Sequence, residues 1–253
     1  MRGVTKAFGG KPVLTGVDLT VRPGEALGII GPSGTGKSTV LRLIAGLILP
    51  DAGEIEVLGQ RRTQSIVDAT DPLLISLVFQ QAALFDSLTV GENIGFLLYR
   101  EGRLPHAAID QLVQRSLERV GLPDIAHLLP SELSGGMRKR VSFARAIIHN
   151  FVEENQRAEL ILYDEPTAGL DPIASTVVED LMRDLRQTQT PGSAYVVVTH
   201  QQSTIRRATD RILMLYDGRI CWAGATADID QTDNIYVRQF FSGAVSGPIQ
   251  VAS

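Results

Sequence analysis

Residues 31–39 are Gly31-Pro32-Ser33-Gly34-Thr35-Gly36-Lys37-Ser38-Thr39. They match the phosphate-loop pattern G-x-x-x-x-G-K-[ST]. An apolar run at Ala26–Ile30 predicts a strand before the loop. Apolar residues at helical spacing predict a helix after it, at Val40, Leu41, Ile44 and Leu47. Because both flanks have the required character, we interpret the segment as a nucleotide-binding loop rather than a plain glycine-rich turn.

The residue types in this loop suit the binding of phosphate groups. Glycines let the backbone bend so that successive N–H groups point inward, and the following helix adds the positive end of its dipole. Lys37 is expected to bridge the β- and γ-phosphates of ATP, and the Ser38 hydroxyl to ligate Mg²⁺. The residues expected to contact the nucleotide here are Gly31, Ser33, Gly34, Thr35, Gly36, Lys37, Ser38 and Thr39.

The composition disfavours several classes of function. The 253 residues include 28 acidic and 24 basic side chains, a net charge of −4, with no basic block, which argues against a nucleic-acid partner. The single cysteine, Cys221, excludes an internal disulfide, and with only four histidines a structural zinc site is disfavoured. No apolar run approaches the roughly 18 residues of a membrane span, and the N-terminus does not resemble a signal peptide. We therefore expect a soluble protein that reaches a membrane only through a partner.

Apolar periodicity predicts the layout of the rest of the chain. After an N-terminal edge strand expected to be short, further strands are predicted at Glu54–Leu58, Ile75–Phe79, Leu160–Tyr163 and Tyr195–Thr199. Helices are predicted at Ile109–Val120, Met137–Ile148 and Ile173–Arg186. Strands that alternate with helices indicate an α/β fold with a mostly parallel sheet. We assign residues 1–80 and 158–228 to a catalytic core, 81–150 to an inserted helical subdomain and 229–253 to a C-terminal tail.

Two motifs outside the loop carry chemistry. The apolar strand Leu160–Tyr163 ends in Asp164-Glu165, and ligands of open α/β sheets bind beyond the carboxyl ends of strands. Asp164 is expected to hold Mg²⁺ or its water shell, and Glu165 to orient or deprotonate the attacking water. The alternative, a solvated strand end, is disfavoured by the presence of Lys37. Leu133–Met137 (Leu-Ser-Gly-Gly-Met) predicts a helix start capped by Ser134, which is also a second anion site.

These motifs together resemble the ATP-binding subunits of ABC transporters, over nearly the whole chain. The resemblance implies a P-loop NTPase fold, a RecA-like mostly parallel sheet with an antiparallel β subdomain and an inserted helical subdomain. It implies ATP hydrolysis by a head-to-tail homodimer, in which each phosphate loop meets the other subunit's signature motif. The positions that match the family's motifs are the phosphate loop, Gln80, Leu133–Met137, Asp164-Glu165, Ala168–Asp171, His200 and Phe8.

The resemblance also assigns roles to single residues. Ser134, Gly135, Gly136 and Asp171 join the nucleotide-binding set, and Gln80 is expected to contact Mg²⁺ and sense the membrane partner. His200 is expected to contact the γ-phosphate, and Phe8 to stack on adenine. Each has a simpler alternative: Gln80 and His200 as structural polar residues at strand ends, and Phe8 as part of the core.

Two features narrow the resemblance to one subfamily of ABC ATPases. They are Met137, where many members have glutamine, and the tail Val237–Ile249. Both resemble the Mla-type phospholipid transporters of Gram-negative bacteria and their cyanobacterial and chloroplast relatives. This implies a lipid cargo, integral membrane permease subunits, a lipid-binding substrate protein and a location on the cytoplasmic or stromal face of a membrane. Around His149–Glu159 the chain is longer than the family pattern, and we expect a surface loop without catalytic role.

Other functions remain open from the sequence. An ABC importer of amino acids or another small solute differs only in Met137 and the tail. A small-molecule P-loop kinase would use Lys37 and Asp164 but would not need Leu133–Met137. A DNA-associated ABC ATPase would normally carry a long coiled coil or a basic surface, and the sequence has neither.

Overall fold

A computed structural model describes residues 1–57, 59–63, 75–152, 160–188 and 191–250. Its strands, in chain order, are β1 (Arg2–Phe8), β2 (Lys11–Val17), β3 (Ala26–Ile30), β4 (Ala52–Glu54), β5 (Glu56–Val57), β6 (Gln60–Arg61), β7 (Ile75–Val78), β8 (Leu160–Asp164), β9 (Ala194–Val198), β10 (Arg211–Tyr216) and β11 (Arg219–Ala225). Its α-helices are α1 (Lys37–Ala45), α2 (Val90–Glu101), α3 (His106–Arg119), α4 (Gly135–Ile147), α5 (Pro172–Thr188), α6 (Gln202–Ala208) and α7 (Ile235–Ser242).

The central sheet has the strand order β11-β10-β3-β9-β8-β7. Its neighbouring strands are parallel except for the β10–β11 pair, which is antiparallel. Every residue of β3 and β9 is buried, as expected of continuous apolar strands covered on both faces by other elements. The α/β prediction is therefore confirmed, and the carboxyl ends of β3, β8 and β9 lie along one edge.

An antiparallel sheet of order β2-β1-β4 packs against this core. The expectation of a short first strand is wrong: β1 has seven residues, because it finds ladder partners on both sides, in β2 and β4. The strand predicted at Glu54–Leu58 is interrupted at Ile55, whose side chain is buried, and Leu58 is outside the described residues. The helix after the phosphate loop ends at Ala45, since Gly46 takes a left-handed cap conformation, and Leu47 lies beyond it, exposed.

The segment from Val90 to Phe151 is helical, with α2, α3 and α4 packed around one apolar cluster. The helices predicted at 109–120, 137–148 and 173–186 correspond to α3, α4 and α5. In this cluster the ring of Phe143 stacks on Tyr163, with centroids 4.9 Å apart, and so joins α4 to β8. Of the segment His149–Glu159, residues 153–159 are outside the described ranges. Within those ranges, no helix is long and apolar enough to cross a membrane.

The tail packs on its own chain. Its buried residues Val237 and Ile249 join a cluster with Ile205, Ile212 and Met214. Gln239 organises the segment after α7: its amide oxygen accepts from Ile249 N–H (2.7 Å), and its amide nitrogen donates to the carbonyls of Ala244 and Ile249 (3.1 Å each). The aromatic-rich tail is therefore shielded from solvent by packing against its own chain.

We predict that Gln239→Ala loosens the tail without unfolding the core. The substitution leaves buried backbone groups without partners, at a cost of about 1–3 kcal/mol. Limited proteolysis between Gly243 and Ile249 should therefore become faster, and the melting temperature should fall. The control is Gln231→Ala, at an exposed position. Equal proteolysis rates for the two variants would contradict the cis packing.

Candidate nucleotide site

The phosphate loop follows directly on β3, and its glycines are required by close packing. A Cβ atom at Gly31 would lie 2.1 Å from the carbonyl oxygen of Leu215, and Gly31 has φ +146°. At Gly36, with φ +98°, a Cβ atom would lie 2.8 Å from Cγ1 of Val13. The loop thus leaves β3 between β10 and the β1–β2 hairpin. Ser33 and Gly34, at its tip, are exposed to solvent.

Lys37 begins α1 and turns back into the loop. Its ammonium donates to the carbonyl oxygens of Gly31 (2.9 Å) and Pro32 (2.7 Å), and the residue is buried. Burial lowers the pKa of Lys37, an effect opposed by the nearby carboxylates of Glu165 and Asp164. A phosphate oxygen carries negative charge and these carbonyls do not, so a phosphate would replace them as the better acceptor for the ammonium.

Ser38 and Asp164 meet across the sheet edge. The Ser38 hydroxyl donates to Oδ1 of Asp164 at 3.1 Å, joining the start of α1 to the end of β8. Burial raises the pKa of Asp164, although the hydrogen bond from Ser38 acts in the opposite direction; the Glu165 charge adds to the rise. The ionised carboxylate is therefore held at some cost, which a bound cation would relieve.

Glu165 follows immediately and has an unusual backbone. Its φ of +48° is in the left-handed region, where a non-glycine residue is strained. The buried carboxylate places Oε1 at 2.8 Å from Nδ1 of His200, while Oε2 has no hydrogen-bond partner among the residues that the structure describes. The His200 side chain itself is largely exposed, and Gln201 next to it donates to the carbonyl of Thr167 (3.2 Å). Glu165 thus has one oxygen held and one available.

The oxygen atoms gathered here suit a hard divalent cation. The Ser38 hydroxyl and the Asp164 carboxylate are 3.1 Å apart, and the unpartnered Oε2 of Glu165 lies on the next residue. Such oxygen sets are what Mg²⁺ prefers. Gln80, expected as a further ligand, is exposed just after β7.

The Gln80 segment is held through its backbone. The ammonium of Lys139, on α4, donates to the carbonyl oxygen of Gln80 and also to that of Glu165 (3.4 Å). Sequence reasoning missed Lys139. In the sequence, Lys139 is a lysine two residues before Val141, which belongs to the predicted apolar face of the helix. Local periodicity does not indicate what such a lysine contacts.

Ser134 lies apart from the phosphate loop within the chain. Its hydroxyl accepts from Met137 N–H at 3.2 Å and so caps α4, as predicted. A depression of about 390 Å³ is lined by Ser134, Gly135, Gly136, Arg140, Gly169, Leu170, Asp171, Ala174, Val177 and Val178, and by no residue of the phosphate loop. Asp171 caps α5, accepting from the N–H groups of Ile173 (2.9 Å) and Ala174 (3.0 Å).

Phe8 ends β1 and is 47% exposed. The Lys6 ammonium lies 5.6 Å from the centre of its ring. A role as core residue does not fit this exposure, and adenine stacking stays a prediction.

Comparison with known proteins now identifies the family. The ABC transporter family matches residues 14–168. The chain is 52% identical over 257 residues to the chloroplast protein TRIGALACTOSYLDIACYLGLYCEROL 3 of Arabidopsis thaliana, with 98% of the chain and 74% of that protein covered. It is 36% identical to MlaF, the ATP-binding protein of the intermembrane phospholipid transport system of Escherichia coli K12, with 98% and 90% covered. The chain belongs to the ABC transporter family.

The fold agrees with this assignment. A dimeric ATP-binding cassette in a post-hydrolysis state, bound to ADP and phosphate, superimposes with a TM-score of 0.74 and 30% identity. The match covers 89% of the chain and 97% of the cassette. The protein is therefore an ATP-binding cassette subunit and an ATPase, built on the α/β P-loop fold predicted from its sequence.

We predict that Asp164→Asn abolishes hydrolysis but raises the melting temperature of the nucleotide-free protein at pH 7.5. Because the folded-state pKa of Asp164 is raised, ionisation costs stability as the pH rises from the unfolded value through the folded one. Asparagine removes that cost and can still accept from Ser38. The gain should shrink as the pH is lowered and Asp164 becomes neutral. A lower melting temperature for the variant at pH 7.5 would contradict the assignment.

Proposed function

We propose that this chain is the ATP-hydrolysing subunit of a transporter that moves phospholipid or a related lipid, and that it works as a head-to-tail homodimer. The proposed ATP hydrolysis rests on one observation. Five side chains lie together at one edge of the sheet, namely Lys37, Ser38, Asp164 and the Glu165–His200 pair. Support for the lipid comes from the likeness to the phospholipid-system protein MlaF over 90% of its length.

In the proposed mechanism, Lys37 leaves the carbonyls of Gly31 and Pro32 and binds the β- and γ-phosphates, while Phe8 stacks on adenine. Ser38, Asp164 and Gln80 would hold Mg²⁺, whose charge would offset that of the phosphates. The remaining nucleotide contacts come from the backbone N–H groups of the loop and from the Ser33, Thr35 and Thr39 side chains.

Glu165 is the proposed general base. Its Oε2 is buried and has no partner within the described part of the chain, so it can accept a proton from the attacking water, while Oε1 is fixed beside His200. A positioned base of this kind contributes about 10²- to 10⁴-fold in rate. His200, with its exposed ring, contacts the γ-phosphate in this scheme and at the same time orients Glu165.

The second copy completes each site. Ser134, Gly135 and Gly136 form a helix start suited to an anion, yet they line a depression that excludes their own phosphate loop. In a head-to-tail pair, this surface of one subunit would face the γ-phosphate held by the other, with Asp171 beside it. ATP would then close the dimer, because its phosphates touch both chains.

The permease would dock on the helical subdomain beside Gln80. Phe85 is 47% exposed and Leu97 43% exposed, whereas Val90, at the start of α2, is fully buried and belongs to the core. The subunit would thus be peripheral, on the cytoplasmic face of a bacterial membrane or the stromal face in a chloroplast. A lipid-binding substrate protein would complete the system.

A mixing experiment tests the composite site. Ser134→Arg and Lys37→Ala homodimers should each be inactive, because every site lacks one half. Their heterodimer regains one complete site, so an equal mixture should recover up to about one quarter of the wild-type rate if sites act independently. No recovery, with heterodimers demonstrated by tag copurification, would contradict the head-to-tail arrangement.

Adding Glu165→Gln to one or the other of the two mutant chains supplies a matched control for this mixture. In the Ser134→Arg chain it should abolish the recovered activity, because that chain provides the phosphate loop and base of the intact site. In the Lys37→Ala chain it should change nothing. Recovery that is indifferent to this placement would remove Glu165 as the base.

The cargo is tested on the permease complex copurified with this subunit. We expect bound lipid in the complex and an ATPase rate that responds to phospholipid in nanodiscs. A rate that responds only to a binding protein for amino acids or metal ions would favour the importer alternative and leave the ATPase proposal intact.

A further inference from the structure

Helix α4 carries a buried lysine and a partly buried arginine whose cationic groups donate to backbone carbonyls near the catalytic edge. The Lys139 ammonium donates to the carbonyls of Gln80 and Glu165. One and a half turns later, the Arg145 guanidinium donates to the carbonyls of Ala82 (2.9 Å) and Ala83 (2.8 Å). The two side chains therefore tie the segment after β7 and the end of β8 to one helix.

Two of the four carbonyls they reach belong to residues with a strained backbone. Glu165 and Ala83 both have φ +48°, in the left-handed region where a non-glycine residue is strained. Such conformations persist only where surrounding contacts fix them. Glu165 is fixed by its N–H, which donates to Val198 O at 2.8 Å, and by the donation of Lys139 and Ala168 N–H to its carbonyl.

Lys139 is not explained by packing or by an ion pair. It is 6% exposed, and burial lowers its pKa, opposed by the Asp164 and Glu165 charges. Among the described residues, no carboxylate oxygen lies within ion-pair distance of its ammonium. Methionine would fill the same space without the cost of burying a charge. What lysine adds is a donor that reaches two catalytic segments, lying 59 and 26 positions away in sequence.

We propose that Lys139 is a positioning residue for hydrolysis, whose ammonium fixes the backbone of Gln80 and Glu165 so that the Glu165 carboxylate keeps its place beside His200. The inference rests on the proposed role of Glu165 as the base. Since a misplacement of 1 Å can cost about 100-fold in rate, loosening this contact should slow the chemical step. It should leave nucleotide binding alone, because Lys139 has no hydrogen bond to the phosphate loop.

The test compares Lys139→Met, Lys139→Arg and wild-type protein in steady-state ATPase assays and in binding of a fluorescent ATP analogue. We expect Lys139→Met to lower kcat between about 10- and 100-fold, with KM and the analogue's Kd within about twofold of wild type. Lys139→Arg, which keeps the charge and the donors, should restore most of kcat. The melting temperature of Lys139→Met should not fall, because a buried charge has been removed.

Arg119→Met is the matched control. Arg119 also donates from a helix to a backbone carbonyl, that of Asp184 at 3.3 Å, but far along the chain from the catalytic segments. Its kcat should stay near the wild-type value. If Lys139→Met does not fold, Lys139→Leu, which also lacks a donor, replaces it in the comparison with the same expected loss of kcat.

Two results would overturn the proposal. One is a kcat for Lys139→Met near wild type; the other is a loss of kcat matched by equal losses in analogue binding and melting temperature, as a general structural role would give. Glu165→Gln, assayed in parallel, separates a failure of this proposal from a failure of the proposed role of Glu165 as the base. If that variant hydrolyses ATP normally, the proposed base is wrong, whatever Lys139 does.

Discussion

The site depends on a positive charge that the fold buries before any phosphate arrives. Lys37 turns back into the glycine loop, where, among the described residues, its hydrogen bonds go to the carbonyls of Gly31 and Pro32. Burying an ammonium is costly, and neutral carbonyls compensate it incompletely. The free protein is therefore arranged to gain when an anion replaces them. The need for glycine at Gly31, against the Leu215 carbonyl, follows from this tight enclosure.

The parallel sheet brings the other proposed catalytic residues to the phosphate loop that holds Lys37. Because β3, β8 and β9 run in the same direction, the loop, Asp164-Glu165 and His200 emerge at one edge although they are far apart in sequence. The same edge concentrates unfavourable features: a carboxyl with a raised pKa at Asp164, a strained backbone at Glu165 and an orphan oxygen on its side chain. Each is costly in the free protein and becomes useful when the cation, phosphate and water are bound.

Helix α4 connects the two halves of the proposed composite site. Its first turn, capped by Ser134, presents an anion-binding surface away from its own phosphate loop, and its second turn places Lys139 under the backbone of Glu165. A single helix therefore carries the surface offered to a partner and contacts the backbone of the residue whose carboxylate serves its own chain. The tail, held by Gln239, packs on β10 and α6.

Local patterns in the sequence determined the elements and most of the candidate site. The apolar run Ala26–Ile30, the glycine spacing of residues 31–36 and the Ser134 cap act over a few residues, so propensity and periodicity predict them. The length of β1, the packing of the tail in cis and the contacts of Lys139 were decided only by tertiary structure. A lysine on a helix looks the same in sequence whether it meets water or the Gln80 carbonyl 59 positions away. Only the folded chain brings that donor and acceptor together, because the contact depends on how α4 packs against the sheet and not on residues near it in sequence.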